Sequence, residues 1–291
     1  MILGPTSVGK TALSIAVAKA IRGEIISADS RQVYRGLNIG TGKATKREMR
    51  GVRHHLIDVI EPKKVFSASD YVREGRAAIS EIAARGNVPI IVGGTGFYIY
   101  ALVGTMPLAE APPNNKLRKE LEKESLKWLN ARLKKLDPRR LKTIDTKNPV
   151  RLIRAIEIAT ALGKVPKTAP KKLYDISYIG LTIPPEELKK KIYNRLFARI
   201  RQGMLGEAKR LRAKGLSWKR MEELGLEYRF MARHLQGKIT KTQFLQELER
   251  EINNYGKRQM TWFKKNKDIL WFSPKDSRKI IALSKKFLTV N

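Results

Sequence analysis

The chain has 291 residues, of which 60 are lysine or arginine and 27 are aspartate or glutamate, so its formal net charge is +33. This length allows one large domain or two small ones, at roughly 100–200 residues per domain. Hydrophobic residues make up 42% of the chain, which argues against wholesale disorder. The absence of cysteine excludes a disulfide scaffold, a thiolate metal site and a cysteine nucleophile.

The apolar segments of the chain are short. Val88–Val92, for example, falls well below the roughly 20 residues that are needed to span a bilayer. The first residues, MILGPTSVGK, lack the basic segment and the long apolar segment of a signal peptide. We therefore expect a cytoplasmic protein. Met1–Leu3 is short for a buried strand, and we expect that several residues precede it in the natural protein.

The excess of positive charge has a direct consequence for the kind of partner. Like charges repel one another in a compact chain, and a polyanionic partner relieves that repulsion. Heat-tolerant surfaces gain charges of both signs, whereas here basic residues outnumber acidic ones by 60 to 27. The composition therefore favours nucleic acid as the partner, with a membrane surface or solubility alone as the alternatives.

Short apolar runs alternate with helical segments over residues 1–106. The predicted strands are Met1–Leu3, Ile25–Ser27, Leu56–Val59 and Val88–Val92, and the predicted helices are Ala12–Ile21 and Ser69–Arg85. Strands that alternate with helices indicate a parallel sheet with helices on both faces. We predict an α/β fold in which residues 1–106 form the first part of the core.

A basic, helical segment is predicted for residues 107–172. Pro107, Pro112 and Pro113 interrupt the chain, and a helical stretch runs from Asn114 to about Leu136. Residues 114–172 contain 18 Lys/Arg and 6 Asp/Glu, a local net charge of +12. This pattern indicates a helical insertion carried by the α/β core.

The remaining residues, 173–291, are predicted to return to the core. Tyr174–Thr182 alternates apolar and polar residues, which predicts a further strand of the main sheet. From Glu186 onward the chain is predicted to be mostly helical. The predicted breaks between its helices lie at Gly215, Gly225 and Gly237.

A complete P-loop pattern lies between the first predicted strand and the first predicted helix. It consists of Gly4, Pro5, Thr6, Ser7, Val8, Gly9, Lys10 and Thr11. Its glycines allow successive backbone N–H groups to surround a phosphate at a helix N-terminus. Lys10 adds a cation, and the Thr11 hydroxyl can coordinate Mg²⁺. Such a loop binds diphosphates or triphosphates in general and does not identify a reaction.

Three more candidates are expected near the same edge of the sheet. Asp29 follows the second strand and Thr95 follows Val88–Val92, and ligands bind at the carboxyl ends of parallel strands. Arg195 borders the apolar stripe of the helix that begins near Glu186. For each residue a plainer interpretation exists, namely a turn residue for Asp29 and Thr95 and a solvated basic face for Arg195.

Taken together, these segments resemble the tRNA dimethylallyltransferases, the bacterial isopentenyltransferase family that modifies adenosine 37 of tRNA. The resemblance covers nearly the whole chain, in the family's order. The matching runs are GPTSVGKT, ISADSRQVYRGLNIGTGK, RHHLIDVIEP, VPIIVGGTGFYI, NPVRLIRAIE, LGLEYR and YGKRQMTWF. The fold that it implies is a P-loop NTPase-like core with a small helical insertion that grips the anticodon stem-loop.

The resemblance also implies a reaction and roles for the candidates. Dimethylallyl diphosphate and Mg²⁺ would occupy the P-loop, and the N6 amine of adenine would attack C1 of the donor. Lys10 and Arg195 would stabilise the departing diphosphate, Thr95 would bond near its bridging oxygen, and Asp29 would act as the general base. We expect Asp29→Ala to reduce turnover far more than tRNA affinity.

The family's tRNA contacts map onto fifteen positions of this sequence. They are Asp29, Ser30, Arg31, Gln32, Thr95, Arg118, Val150, Arg151, Leu152, Ile153, Arg154, Arg229, Lys257, Arg258 and Gln259. Two departures from the family's pattern bear on how RNA is held. Asn253-Asn254 stands where members commonly have arginines, and Leu224–Arg229 is longer than the usual form of that motif. We expect a monomer.

Three other functions are alternatives to this one. A P-loop kinase for a small metabolite would explain Gly4–Thr11 and Asp29 but not the basic insertion. A prenyltransferase of free adenylate, of the cytokinin type, needs no grip on an anticodon. A non-catalytic RNA-binding module would not need the catalytic candidates.

Zinc is not expected at His54-His55, because adjacent side chains on a strand point apart and no third ligand is suitably spaced.

Overall fold

The computed structural model describes residues 1–166 and 169–290, so residues 167 and 168 of the predicted insertion and residue 291 lie outside it. In the described residues, six strands form one parallel sheet in the order β3-β2-β4-β1-β5-β6. The strands are β1 (Ile2–Leu3), β2 (Gly23–Ala28), β3 (His54–His55), β4 (Val88–Gly93), β5 (Ile179–Leu181) and β6 (Leu270–Phe272). The predicted α/β class with a parallel sheet is confirmed.

Helices account for most of the remaining described residues. In chain order they are α1 (Lys10–Ala20), α2 (Lys46–Met49), α3 (Ala68–Ala84), α4 (Gly96–Leu102), α5 (Asn115–Leu121), α6 (Leu126–Leu136), α7 (Pro138–Leu141), α8 (Pro149–Leu162), α9 (Pro185–Arg201), α10 (Met204–Ala213), α11 (Trp218–Leu224), α12 (Leu226–Leu235), α13 (Lys241–Phe263) and α14 (Ser277–Val290). Within the described ranges, none of these helices is long and apolar enough to cross a membrane.

The chain divides into two compact units. The larger comprises Met1–Val103 and Leu173–Asn291 and contains the sheet, and the smaller comprises Gly104–Lys172 and contains α5 to α8. The smaller unit has its own apolar core, which includes Leu129, Leu133 and Leu152. Its helices are amphipathic, so packing of their apolar faces against one another accounts for a separate core.

Local sequence explains the central elements of the larger unit. The paired strands β2 and β4 each have two buried isoleucines at their centre, Ile25-Ile26 and Ile90-Ile91, as expected for parallel strands that are covered on both faces. Helix α3 begins at a capping box in which Ser67 and Asp70 satisfy each other's backbone N–H groups. Its buried residues, Tyr71, Gly75, Ala78, Ile79 and Ile82, recur at helical spacing.

The strand predicted at Leu56–Val59 was wrong. On this side of the sheet, β2 pairs with His54 and His55. The chain then turns, and Leu56 and Asp58 lie in the left-handed region, with φ values of 59° and 55°. Beyond the turn, the N–H of Val59 donates to the carbonyl of Val33 at 2.8 Å. The β-branched residues of this segment therefore pair with a loop that follows β2 rather than with the sheet.

Other predicted boundaries also change. Only Ile179–Leu181 of the predicted strand Tyr174–Thr182 pairs in the sheet. The predicted helix from Asn114 to Leu136 is two helices, because Ser125 caps a new N-terminus by accepting from the N–H of Trp128. Strand β6 was not predicted. The three predicted glycine breaks are confirmed, since each glycine follows a helix with φ between 72° and 84°.

Strand β2, an interior strand of the sheet, carries a buried carboxylate, Glu24, that should affect stability in acid. The Glu24 side chain is 7% exposed and accepts hydrogen bonds from Arg85, Asn87 and His55. The Arg85 hydrogen bond is the main cause that lowers the pKa of Glu24 from 4.5 to about 2, and burial opposes it. A lowered pKa contributes stability that is present above the unfolded value and is lost as the pH falls through the folded value.

We therefore expect the free energy of unfolding to fall between about pH 5 and pH 2 more steeply in the native protein than in Glu24→Gln. Urea unfolding at a series of pH values measures both slopes. Glu74→Gln, at a carboxylate that is nearly half exposed, serves as the control and should follow the native slope. Equal slopes for Glu24→Gln and the native protein would contradict this assignment.

Candidate functional site

The P-loop residues form an anion-binding turn between β1 and α1. Gly4, Ser7 and Gly9 have φ values of 144°, 63° and 106°, and a Cβ at Gly4 would lie 2.6 Å from the carbonyl oxygen of Leu181. In the described part of the chain, no group accepts a hydrogen bond from the backbone N–H groups of Ser7 to Lys10. Helix α1 also lacks a side-chain cap. Unpaired N–H groups at a helix N-terminus are suited to bind a phosphate.

Lys10 places a cation beside this turn. Its Nζ donates to the carbonyl oxygens of Gly4 at 2.8 Å and Pro5 at 2.6 Å. Burial lowers the pKa of Lys10 to about 7, the nearby Arg195 acts in the same direction, and Asp29 opposes both. An anion bound in the loop would favour the protonated amine, because it compensates the lost hydration.

Asp29 follows β2 directly, at the carboxyl edge of the sheet. Its Oδ1 accepts from the backbone N–H groups of Arg31 at 2.8 Å and Gln32 at 3.3 Å. Its Oδ2 accepts no hydrogen bond from the described residues. The turn therefore holds one carboxylate oxygen and leaves the other available to a ligand.

Thr95 lies beside Asp29, as the parallel sheet requires. It follows β4, the neighbour of β2, and its Oγ1 accepts from the N–H of Ser30 at 3.3 Å. The Tyr255 side chain of α13 lies close to Thr95: burial raises the pKa of the Tyr255 hydroxyl, and Thr95 acts against that effect. Thr95 thus lies between the segment after β2 and helix α13.

Arg195 reaches the same region from α9. Its Nη2 donates to the carbonyl of Gly42 at 3.0 Å. Burial is the main cause that lowers the pKa of Arg195, Arg199 adds to the effect, and Asp29 acts against it. A partly desolvated guanidinium next to another cation favours an anionic ligand.

The loop that Arg195 contacts, residues 38–42, is held by residues that were not predicted. The carboxylate of Glu207 accepts from the N–H groups of Asn38, Ile39 and Gly40 at 2.7–3.0 Å. It also accepts from the hydroxyl of Tyr228 at 2.7 Å. Glu207 lies far along the chain from this loop, and the signal that the sequence offers is a glutamate on the apolar face of α10, at helical spacing from Met204 and Leu211.

Gly42→Ala is expected to weaken binding of inorganic diphosphate by about 10- to 100-fold, because small displacements of a positioned group are costly. Gly42 has φ 59°, and a Cβ there would collide with the guanidinium of Arg195. Gly51→Ala is the matched control, because Gly51 has φ 81° and nothing lies within 4 Å of its Cβ position. Calorimetry with both variants separates displacement of Arg195 from backbone strain, and equal losses would contradict the prediction.

A single cavity of about 540 Å³ collects the candidates of the larger unit. The predicted site residues that line it are Thr6, Ser7, Gly9, Lys10, Thr11, Asp29, Gln32, Arg195 and Gln259. Gly4, Pro5 and Val8, the other residues of the P-loop, are buried and do not line the cavity. Ser30 and Thr95 lie next to Asp29, as their hydrogen bond shows, and Arg31 donates to its Oδ1.

The donor atoms in this cavity fit a magnesium ion that is shared with a diphosphate. Thr11 offers a hydroxyl, which is a hard oxygen donor. Mg²⁺ is commonly held by one or two protein oxygens together with substrate phosphates. No cluster of three His, Asp or Glu side chains suited to a metal occurs within the described ranges. The His54 ring bonds to the carbonyl of Val52, and the His55 ring bonds to Glu24.

The predicted RNA contacts on α12 and α13 differ in exposure. Arg229, Lys257 and Arg258 are exposed, with Arg229 3.6 Å from a carboxylate oxygen of Glu222. Gln259, in contrast, is 5% exposed and bonds to two backbone groups of the larger unit. Asn253 and Asn254, the departure from the family's pattern, bond to neighbouring residues of their own helix.

The predicted contacts of the smaller unit fall into three groups. Val150 and Arg151 are exposed, whereas Leu152 and Ile153 are buried in the core of that unit. Arg118 and Arg154 both donate to Glu157, whose side chain is 1% exposed. The carboxylate thereby fixes the orientation of both guanidinium groups, each of which remains about one-third exposed.

Comparisons with known proteins identify the family of this chain. The model of the IPP transferase family matches residues 32–266. A tRNA dimethylallyltransferase of Anoxybacillus flavithermus is 38% identical, over 95% of this chain and 90% of that protein. The crystal structure of a tRNA isopentenylpyrophosphate transferase from Bacillus halodurans is 34% identical, covers 99% of this chain and 98% of its own, and has a TM-score of 0.73.

A eukaryotic dimethylallyltransferase, captured in crystallographic snapshots acting on tRNA, is 26% identical, with a TM-score of 0.85 over 100% of this chain and 79% of its own. The family model covers most of the chain, and the relatives are similar over nearly their whole length. The resemblance drawn from the sequence motifs is thus confirmed. The chain belongs to the IPP transferase family, a family of enzymes whose curated relatives are named tRNA dimethylallyltransferases.

Proposed function

We propose that this enzyme transfers a dimethylallyl group from dimethylallyl diphosphate to N6 of adenosine 37 in the anticodon loop of tRNA. One observation carries the proposal. A single cavity joins an anion-binding loop and two cations to a carboxylate with an unpaired oxygen. The names of the relatives, tRNA dimethylallyltransferases, point to the same donor and acceptor.

The anion-binding side of the cavity suits the leaving group. As the bond between C1 and the diphosphate oxygen breaks, the electron pair goes to the diphosphate and its charge grows. Unpaired N–H groups of the P-loop, together with Lys10 and Arg195, stabilise that charge. Mg²⁺, held by Thr11 and the diphosphate, would supply further positive charge to the same oxygens.

Asp29 suits the acceptor side. The lone pair of an adenine amine is delocalised into the ring, so the amine is a poor nucleophile. With Oδ1 fixed by Arg31 and Gln32, Oδ2 can accept a hydrogen bond from N6 and then take its proton as the N6–C1 bond forms. Thr95, beside Asp29, would bond near the bridging oxygen of the donor.

The acceptor base must leave its stack before it can react. Extrusion of a base costs a few kcal/mol, which contacts between protein and RNA have to offset. Basic residues supply such contacts. Residues 114–172, almost all of the smaller unit, carry a local charge of +12, and Arg151, Arg229, Lys257 and Arg258 are exposed. We propose that the smaller unit grips the anticodon stem-loop and that the enzyme acts as a monomer.

Incubation of the enzyme with unmodified tRNA, Mg²⁺ and dimethylallyl diphosphate tests the proposal. Nucleoside mass spectrometry should detect a prenylated adenosine, and digestion to oligonucleotides should place it at position 37. Prenylation of free adenylate at a comparable rate would favour the cytokinin-type alternative. Phosphate transfer from ATP to a small molecule, without prenylation, would favour a kinase. Light scattering of the enzyme alone measures its oligomeric state.

A further inference from the structure

Gln259 of α13 connects two loops of the site through one amide group. Its Oε1 accepts from the N–H of Thr6 in the P-loop at 2.8 Å, and its Nε2 donates to the carbonyl of Gly94 at 2.9 Å. Gly94 directly precedes Thr95, and the Gln259 side chain lines the cavity. A Cβ at position 94 would collide with the Gln259 amide. Because one end of the amide must accept and the other must donate, the Gln259 amide fits in a single orientation.

Helix α13 presents different residues on its two sides at this point. Gly256 and Gln259 are buried, and a Cβ at Gly256 would lie 3.9 Å from the Cβ of Pro5 in the P-loop. Lys257 and Arg258 are exposed. The side of α13 that carries Gln259 is therefore in contact with the P-loop, and the exposed side is the one available to a large polyanion.

The chemistry of an amide explains why glutamine suits this position. One atom must accept from an N–H group and the other must donate to a carbonyl, which a neutral amide does and an ionised carboxylate cannot. Leucine has a similar size and makes neither bond. Loss of the side chain would leave the Thr6 N–H and the Gly94 carbonyl without partners in a partly buried position.

We propose that Gln259 is a positioning residue that holds the P-loop and the Thr95 turn in the arrangement that binds diphosphate, rather than a residue that contacts tRNA. This inference rests on the proposed function for the identity of the anion. The Thr6 N–H is occupied by Gln259, so the N–H groups that follow it in the loop are the ones oriented toward the ligand.

Calorimetry with Mg²⁺ and inorganic diphosphate, in the absence of RNA, tests the inference. We expect Gln259→Leu to lower diphosphate affinity by about 10- to 100-fold, as for loss of paired buried groups. Affinity for tRNA, measured without diphosphate, should change less than about 2-fold. Gln246→Leu, an exposed position on the same helix, is the control and should leave both affinities unchanged.

A second variant, Gln259→Glu, tests the same inference if Gln259→Leu does not fold. The neutral acid of Gln259→Glu can accept from Thr6 and donate to Gly94, but its ionised form cannot. Its diphosphate affinity, expressed relative to the native enzyme at the same pH, should therefore recover as the pH falls from about 8 to about 5. Using this ratio removes the pH dependence that the two proteins share.

The outcomes distinguish this inference from the proposed function. Unchanged diphosphate affinity in Gln259→Leu, or a pH-independent ratio for Gln259→Glu, overturns the positioning role. A loss of tRNA affinity alone would make Gln259 an RNA contact and would overturn it as well. Failure of the native enzyme to bind diphosphate would instead overturn the proposed function.

Discussion

Replacing Asp29 by asparagine is expected to lower kcat by about 10²- to 10⁴-fold, the usual contribution of a general base. Asparagine keeps an oxygen that can accept from the N–H groups of Arg31 and Gln32, so the turn after β2 should persist. What it removes is the second carboxylate oxygen, to which the N6 proton would pass. Single-turnover prenylation of tRNA measures the chemical step directly.

Binding measurements separate this role from RNA positioning. The affinity of Asp29→Asn for tRNA should stay within about 3-fold of the native value, because only one hydrogen bond of a large interface changes. Affinity for inorganic diphosphate should be equal to or higher than that of the native enzyme, since a negative charge has left the cavity. Parallel losses in turnover and tRNA affinity would show that Asp29 positions RNA and is not the base.

The second large effect is expected at Arg195. Arg195→Gln should lower kcat/KM for dimethylallyl diphosphate by about 10²- to 10³-fold, the range seen when one donor to a developing negative charge is removed. The guanidinium lines the cavity together with Lys10. Among the described residues, Arg50 is the other arginine that lines this cavity. Steady-state kinetics with saturating tRNA measures the change.

Lys191→Gln provides the matched control for Arg195→Gln. Lys191 lies one turn earlier on α9, does not line the cavity, and pairs with Glu187 at 2.9 Å. Partly exposed ion pairs of this kind contribute little to stability, so the control should fold and react as the native enzyme does. Similar losses in both variants would show that the overall charge of α9, rather than the Arg195 guanidinium, determines donor binding.

Glu207 and Glu157 show how buried carboxylates organise the cations that the proposed reaction uses. Glu207 holds the loop that accepts from Arg195, and Glu157 holds Arg118 and Arg154 within the smaller unit. In each case a negative charge in the interior receives several hydrogen bonds, which compensates for its burial. In this basic protein, two buried glutamates thus serve to hold basic side chains, directly or through a loop, in a fixed orientation.

Several features followed from the sequence alone because their causes are local. A strand, a glycine-rich turn and a helix in direct succession predict the P-loop, and helical spacing of apolar residues predicts α3. The proximity of Asp29 and Thr95 also followed, because carboxyl ends of parallel strands share one edge of a sheet. The family followed from the order of its motifs along the chain.

Other features depended on contacts between distant segments, which no local pattern encodes. Val59 pairs with the loop after β2 instead of extending β3, and Arg195 is directed at Gly42 by packing of α9. Gln259, for which the family resemblance implied an RNA contact, is turned inward because α13 packs against the P-loop. Sequence determined which chemical groups the chain carries, and tertiary packing decided which of them face the ligand and which hold the others in place.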